Sequence, residues 1–241
     1  VMVVFGSLTF YVLKPNQMME TNSTVLCGKI ESDIELHNLY VIDQIIEDTI
    51  AIIPIKNNSF NYKFSTNVIL DYYTMIIDNK LRSQIFFGKN DSLFIEAKFL
   101  KSISEFKIRG TRLAENQLSS KQENDWSYLG YWLQENKKLE NVKIFSDRLY
   151  KEWKEKIAVT NKFKTVDNYI PKPDYTERNR KLISVKYLNF WDQFVKKRLA
   201  IYHNEKTEEN SDIKSIKTKI SLSDESLLSN QDYFKYVITK I

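Results

Sequence analysis

The sequence predicts an α+β chain: an antiparallel β-sandwich followed by an α-helical region. Three observations lead there. From Val25 to Ile108 apolar residues recur with a period of two, beyond Asn116 they recur at three- and four-residue steps, and turn-forming residues punctuate the first stretch at short intervals. Alternation gives a strand one buried face, whereas the 3.6-residue period gives a helix an apolar stripe.

The chain opens with VMVVFGSLTFYVL, thirteen residues without a charge, followed by Lys14, Pro15 and a polar stretch to Thr24. A membrane-spanning helix needs about 20 apolar residues and a signal core about 7 to 15. Residues 1–14 are therefore expected to be an uncleaved N-terminal anchor. A cleaved signal and a first core strand are the alternatives, although no small-residue cleavage site follows. Leu26 precedes Cys27 and a polar spacer separates Cys27 from the apolar run, which argues against a lipidated cysteine. A small thiol in a strand is the simpler role.

The sandwich is expected over residues 28–110. In FNYKF, Phe60, Tyr62 and Phe64 share one face against Asn61 and Lys63. Leu93, Ile95, Ala97 and Phe99 repeat the pattern against Phe94, Glu96 and Lys98. KNNS at 56–59 reads as the turn of a β-hairpin joining TIAIIPI to FNYKF, because asparagine tolerates positive φ. FGKNDS at 87–92 reads the same way, and Pro54 suggests an edge strand.

The helical region is expected over 116–241. Its first stripe runs through Trp126, Leu129, Leu133, Val142, Phe145, Leu149, Trp153 and Ile157, with a break in NKKLEN at 136–141. A second helix starts at PDYTE, where Asp174 and Glu177 fit a capping box, and carries Leu182, Val185, Leu188, Trp191, Phe194 and Leu199. Residues 203–219 read as an exposed connection. A last helix starts near Ser229, passes through Asp232, Tyr233 and Val237, and is still running at Ile241.

Composition narrows the chemistry. Five glycines leave no glycine-rich phosphate loop. The 36 basic residues are interleaved with 31 acidic ones, as in KEWKEK, so the net charge of +5 describes a mixed surface and no nucleic-acid partner is expected. A lone Cys27 leaves no disulfide, thiolate cluster or CxxC pair in the chain, and His37 and His203 lack partners at ligand spacing. Glu31, Asp33 and Glu35 alternate as a carboxylate row able to hold calcium, but wet-face charge is the commoner meaning. Trp153 and Trp191 fall on helical stripes and are expected in the core, while Trp132 stands beside one. Ser221, Ser223 and Asp224 read as turn and cap residues. No metal and no cofactor is expected.

The order of the pieces resembles the N-terminal region of the thioredoxin-like, TlpA-type thiol-disulfide oxidoreductases of the Bacteroidetes group. The matching features are Gly28 in CGKI opening the first strand, Phe60 after a hairpin, Gly88 and Asp91 in FGKNDSLFIEA, Gly110 and Asn116 in IRGTRLAENQL, and Ser229 and Tyr233 at a late helix start. Asn57-Asn58 stands where the family often has Asp-Gly, and Lys89 and Asn90 separate Gly88 from Asp91. The resemblance implies a periplasmic, membrane-tethered accessory region that anchors, spaces, dimerises or presents substrates for a downstream thioredoxin domain. The partners it implies are that domain, another envelope protein, or a second copy. The family's Trp-Cys-x-x-Cys motif is not in this sequence, so no catalytic role passes to any residue here.

Overall fold

In the computed structural model, residues 23–44, 46–101, 103–122, 140–165, 168–203 and 208–240 are described. The expected anchor at 1–14, together with Trp126, Leu129, Trp132 and Leu133, lies outside them. The chain divides into two compact units, residues 1–119 and 120–241. The fold is α+β, with a β-sandwich of two four-stranded sheets and five helices among the described residues.

The strands are β1 Val25–Ser32, β2 Asn38–Asp43, β3 Thr49–Pro54, β4 Ser59–Lys63, β5 Asp71–Ile77, β6 Leu81–Phe87, β7 Ser92–Leu100 and β8 Ile103–Gly110. One sheet, here sheet A, has the order β4-β1-β7-β8, and the other, sheet B, has β3-β2-β5-β6. All pairings are antiparallel except β1 with β7, which run parallel in the register Val25↔Ser92. Alternation sets the core: Leu26, Ile30, Phe60, Leu93 and Ile95 from sheet A meet Leu39, Val41, Ile53, Met75, Ile85 and Phe87 from sheet B.

Two hairpins expected from sequence are corners instead. Asn57 and Asn58 do take φ of 49° and 56°, and Lys56 and Ser59 exchange both backbone hydrogen bonds at 2.8 and 3.0 Å. Pairing stops there, because β3 belongs to sheet B and β4 to sheet A. The 87–92 segment likewise carries the chain from β6 in sheet B to β7 in sheet A. A tight hairpin lies inside the run IIDNKLRSQ, where Asp78 and Asn79 (φ 43° and 56°) form the turn between β5 and β6. Pro54 does sit on an edge strand, β3, where its missing N–H costs no ladder bond.

Gly28 lies inside β1 rather than opening it. Its cross-strand partner is Phe60, and a Cβ there would stand 2.2 Å from the Ile95 carbonyl oxygen and 2.8 Å from the Phe60 ring. The bare backbone gives the aromatic ring room to lie across the strand.

Helix α1, Leu113–Gln122, follows β8, and its residues through Ser119 belong to the first unit. In the second unit, α2 is Val142–Thr160, α3 Pro173–Ile201, α4 Ser211–Lys217 and α5 Gln231–Ile238, with a 3-10 turn at Glu225–Leu227 before α5. Phe145, Leu149, Trp153, Val185, Leu188, Trp191 and Phe194 are buried together, as the stripes require. Phe145 and Phe194 stack with centroids 3.9 Å apart, and the Trp153 indole N–H donates to Ser184 Oγ at 3.0 Å. Leu199 is exposed, and Arg198 takes the buried place beside it, donating to the Glu140 carbonyl at 2.6 Å.

Three helix boundaries differ from expectation. The expected capping box at PDYTE does not form: Lys172 is the N-cap, Pro173 begins the helix, and Glu177 pairs with Arg180 instead. Asn230, not Ser229, caps α5, accepting from the Asp232 and Tyr233 amides, and the helix ends at Ile238 with Thr239 as C-cap. Within the expected exposed connection, 211–217 is helix α4. Asn210 caps it through the Ile213 amide, and Ile213 and Ile216, one turn apart, are both fully buried.

Candidate functional site

Four of the eight signature residues converge on one buried polar joint at the end of the sandwich. Gly110 ends β8 with φ of +116°, a conformation that L side chains rarely adopt, and a Cβ there would meet the Ser92 carbonyl at 2.1 Å. That turn points Thr111, Arg112, Glu115 and Asn116 back toward the β6–β7 corner.

At the corner, Gly88 and Asp91 close a turn on themselves: the Gly88 amide donates to Asp91 Oδ2 at 2.9 Å, and the Asp91 amide to the Gly88 carbonyl at 3.2 Å. Asp91 Oδ1 accepts from the Thr111 hydroxyl at 2.8 Å, while Oδ2 also accepts from Arg112 Nε at 2.7 Å. Arg112 Nη1 reaches Glu115 at 3.2 Å, and the guanidinium lies over the Phe86 ring, 5.8 Å from its centroid. Thr24 donates to the Gly88 carbonyl and accepts from the Asn90 amide. All three ionised side chains are buried, so the cation is the counter-charge that makes two buried carboxylates tolerable.

Asn116 completes the joint. Its Oδ1 accepts from the Phe86 amide at 2.8 Å, and its Nδ2 donates to the carbonyls of Phe86 at 2.9 Å and Arg112 at 2.8 Å. Since β6 is the edge of sheet B, the carboxamide takes the place of a neighbouring strand for one residue. Sequence reasoning selects Gly88, Asp91, Gly110 and Asn116 but passes over Arg112 and Glu115. An arginine immediately after a glycine turn looks like loop, and its partner Asp91 is 21 residues away.

The remaining signature residues lie elsewhere. Gly28 and Phe60 form the cross-strand pair in sheet A. Tyr233 is fully buried in the second unit; its hydroxyl donates to the Ser221 carbonyl at 2.7 Å and accepts from the Asp224 amide at 2.9 Å. Asp224 caps the 3-10 turn and accepts from Lys181 at 2.6 Å. Burial pushes the Asp224 carboxyl up, but hydrogen bonds from Lys181 and Ser226 outweigh it and hold it below the usual carboxylate range. Ser229 Oγ is buried without a hydrogen-bond partner among the described residues.

Other sequence candidates are dispersed. Cys27 is half-buried in β1 with its thiol toward the Leu93 carbonyl at 3.6 Å, and burial raises its pKa, which disfavours the nucleophilic thiolate. Glu31 pairs with Lys98 at 2.9 Å, a hydrogen bond that raises the lysine's pKa, while Asp33 and Glu35 lie beyond the strand's end. His37 and His203 are exposed. Among the described residues, no three His, Cys, Asp or Glu side chains gather as metal ligands.

A cleft of about 600 Å³ opens on the outer face of sheet A, among Lys29, Glu31, Glu96, Lys98, Glu105 and Lys107. Register puts Lys29–Glu96–Lys107 in one row and Glu31–Lys98–Glu105 in the next, so signs alternate along and across the strands. Such a face satisfies its own charges and stays in water.

Among the described residues no helix is long and apolar enough to cross a membrane. No family model matches the chain. No curated protein matches it either.

Proposed function

We propose that this chain is the non-catalytic N-terminal region of an envelope thiol-disulfide oxidoreductase, tethered at its own N-terminus, and that it holds a downstream thioredoxin domain in place on the periplasmic side. The observation that supports this is the joint. The buried Asp91–Arg112–Glu115 network and the Asn116 clamp hold the first turn of α1 against the sandwich as the chain leaves the last strand. A spacer needs that rigidity, and a wholly flexible exit would defeat it.

The test is the reading frame beyond Ile241. A Trp-Cys-x-x-Cys motif that lies after a strand and opens a helix supports the proposal, and a stop codon directly after Ile241 sinks it. Fusion of residues 1–241 to a reporter enzyme that is active only in an oxidising compartment checks the location: activity is expected, and an inactive reporter overturns the envelope assignment.

A second reading is favoured by a different observation. The outer face of sheet B carries the exposed Ile52 beside half-buried Ile42 and Ile76 where sheet A carries a charge lattice, which suits a self-contained, membrane-anchored envelope protein that binds a partner. A stop codon after Ile241 together with partner capture by sheet B would support it.

A further inference from the structure

The outer faces of the two sheets differ in kind. Sheet A's is a charge lattice. Sheet B's presents Ile52, Tyr40 and Ile76 side by side in one register row, ending at Arg82, and Ile42 in the next, beside the buried Thr74. Ile52 is 57% exposed, and Tyr40, Ile42, Tyr72 and Ile76 are half-buried. Phe86, on the same face, is fully buried beneath the α1 joint. What remains open is the part of the face formed by β3, β2 and the adjoining side of β5.

The free edge of β3 is a poor template for strand addition. Pro54 offers no N–H, and the register skips Ile50 between Val41↔Ala51 and Ile42↔Thr49, a bulge that breaks the ladder. The face, not the edge, is therefore the open surface.

Its ends carry opposite charge. At the β2–β3 turn stand Glu47 and Asp48, and at the opposite end stand Lys56, Lys80 and Arg82, all exposed. None of these five has an ion-pair partner among the described residues. With the strands of the two copies kept aligned, this face can stack on itself about either of two in-plane two-folds. An axis along the strands sets acid on acid and base on base. An axis across the strands reverses one copy end for end, so Asp48 of each faces Lys56 of the other and β3, with Ile52, lies over β3 of the other copy. Charge selects the second.

We infer that sheet B's outer face, centred on Ile52, Tyr40 and Ile42, is a homodimer interface of two antiparallel copies with Asp48 opposite Lys56. The open part of the face, about two and a half strands spaced ~4.8 Å and six residues long at ~3.3 Å each, covers on the order of 250 Å² per copy. A standard interface uses about 800 Å² per partner, so the dimer is weak and concentration-dependent. The inference goes beyond the proposed function and gives a surface to the dimerising role that the resemblance implies. It is tested separately, because the mass of the 241-residue chain is independent of any sequence beyond Ile241.

Sedimentation equilibrium of the 241-residue chain at low salt is the experiment. The average mass is expected to rise from monomer toward dimer between about 10 µM and 1 mM. Ile52→Lys, at a position exposed enough to leave the melting transition unchanged, is expected to weaken association at least about tenfold. Asp48→Lys and Lys56→Asp are each expected to weaken it several-fold, and the two together to restore it. A monomer at every concentration overturns the inference. So does a dimer indifferent to Ile52→Lys, a double swap no better than either single change, or amide protection of β2 and β3 that does not vary with concentration.

Discussion

Replacing Asn116 by alanine removes three hydrogen bonds, of 2.8, 2.9 and 2.8 Å, from a side chain 8% exposed. Two of them serve the amide and carbonyl of Phe86, a residue with no exposed surface, so the deletion strands one buried donor and one buried acceptor. Each stranded group costs about 1–3 kcal/mol, and releasing the asparagine's own amide from burial returns part of that. The expected loss is about 2–4 kcal/mol. At a urea m-value of ~1–1.5 kcal/mol/M for a unit of this size, the midpoint falls by about 2 M. The four tryptophans all lie within residues 120–241, so indole fluorescence follows the second unit while the strand signal in far-ultraviolet circular dichroism follows the first. The shift is expected in the strand signal. A loss below ~0.5 kcal/mol would refute the reasoning, because it would mean that Phe86 finds other partners or water once the carboxamide is gone.

Three further changes test neighbouring claims. Arg112→Met should cost about 3–5 kcal/mol by the same strand-signal assay, since it takes the Arg112 guanidinium away from the buried Asp91 and Glu115 carboxylates; a neutral result would deny the network its role. Gly110→Ala forces a Cβ to 2.1 Å from the Ser92 carbonyl at φ +116° and should cost about 3 kcal/mol or more, whereas retention of wild-type stability would contradict that backbone geometry. In the second unit, the Asp224 carboxyl is held low in the folded state, so its pairing with Lys181 stabilises above the unfolded carboxylate range and that contribution disappears as pH falls through the lowered folded pKa. Lys181→Met should therefore cost about 1 kcal/mol by fluorescence-detected unfolding at neutral pH and much less near pH ~2, and a pH-independent penalty would point to packing alone.

The division into strands and helices is legible because period is local: FNYKF alternates and the Phe145–Leu149–Trp153 series repeats, whatever else the chain does. Partner choice is not. Asn57-Asn58 announces a tight turn, and the turn is there, but nothing in the adjoining sequence says that β4 will leave β3 for β1. Phe60 lies opposite Gly28 in that pairing, across a separation no window spans. Helix α4 escapes notice for the opposite reason: two buried isoleucines in a polar run are too few to mark a period, yet enough to hold two turns of helix once Asn210 caps them. At the joint, the residues with unusual backbone or turn chemistry, Gly88, Asp91, Gly110 and Asn116, stand out. Arg112 and Glu115 read as ordinary surface charge because burial depends on the corner folding back over them.

The parallel pairing of β1 with β7 has a consequence in time. Sheet B can assemble from the chain in order, β2 with β3 across a short connection and β5 with β6 across Asp78-Asn79. Sheet A cannot, because Val25 must wait for Ser92. During synthesis β1 and its partner β4 leave the ribosome well before the strand that will lie between β1 and β8, and closing that long loop costs entropy before any ladder bond rewards it. The sandwich therefore becomes a closed core late and all at once, when β7 and β8 arrive together and the joint behind Gly110 locks the last of them.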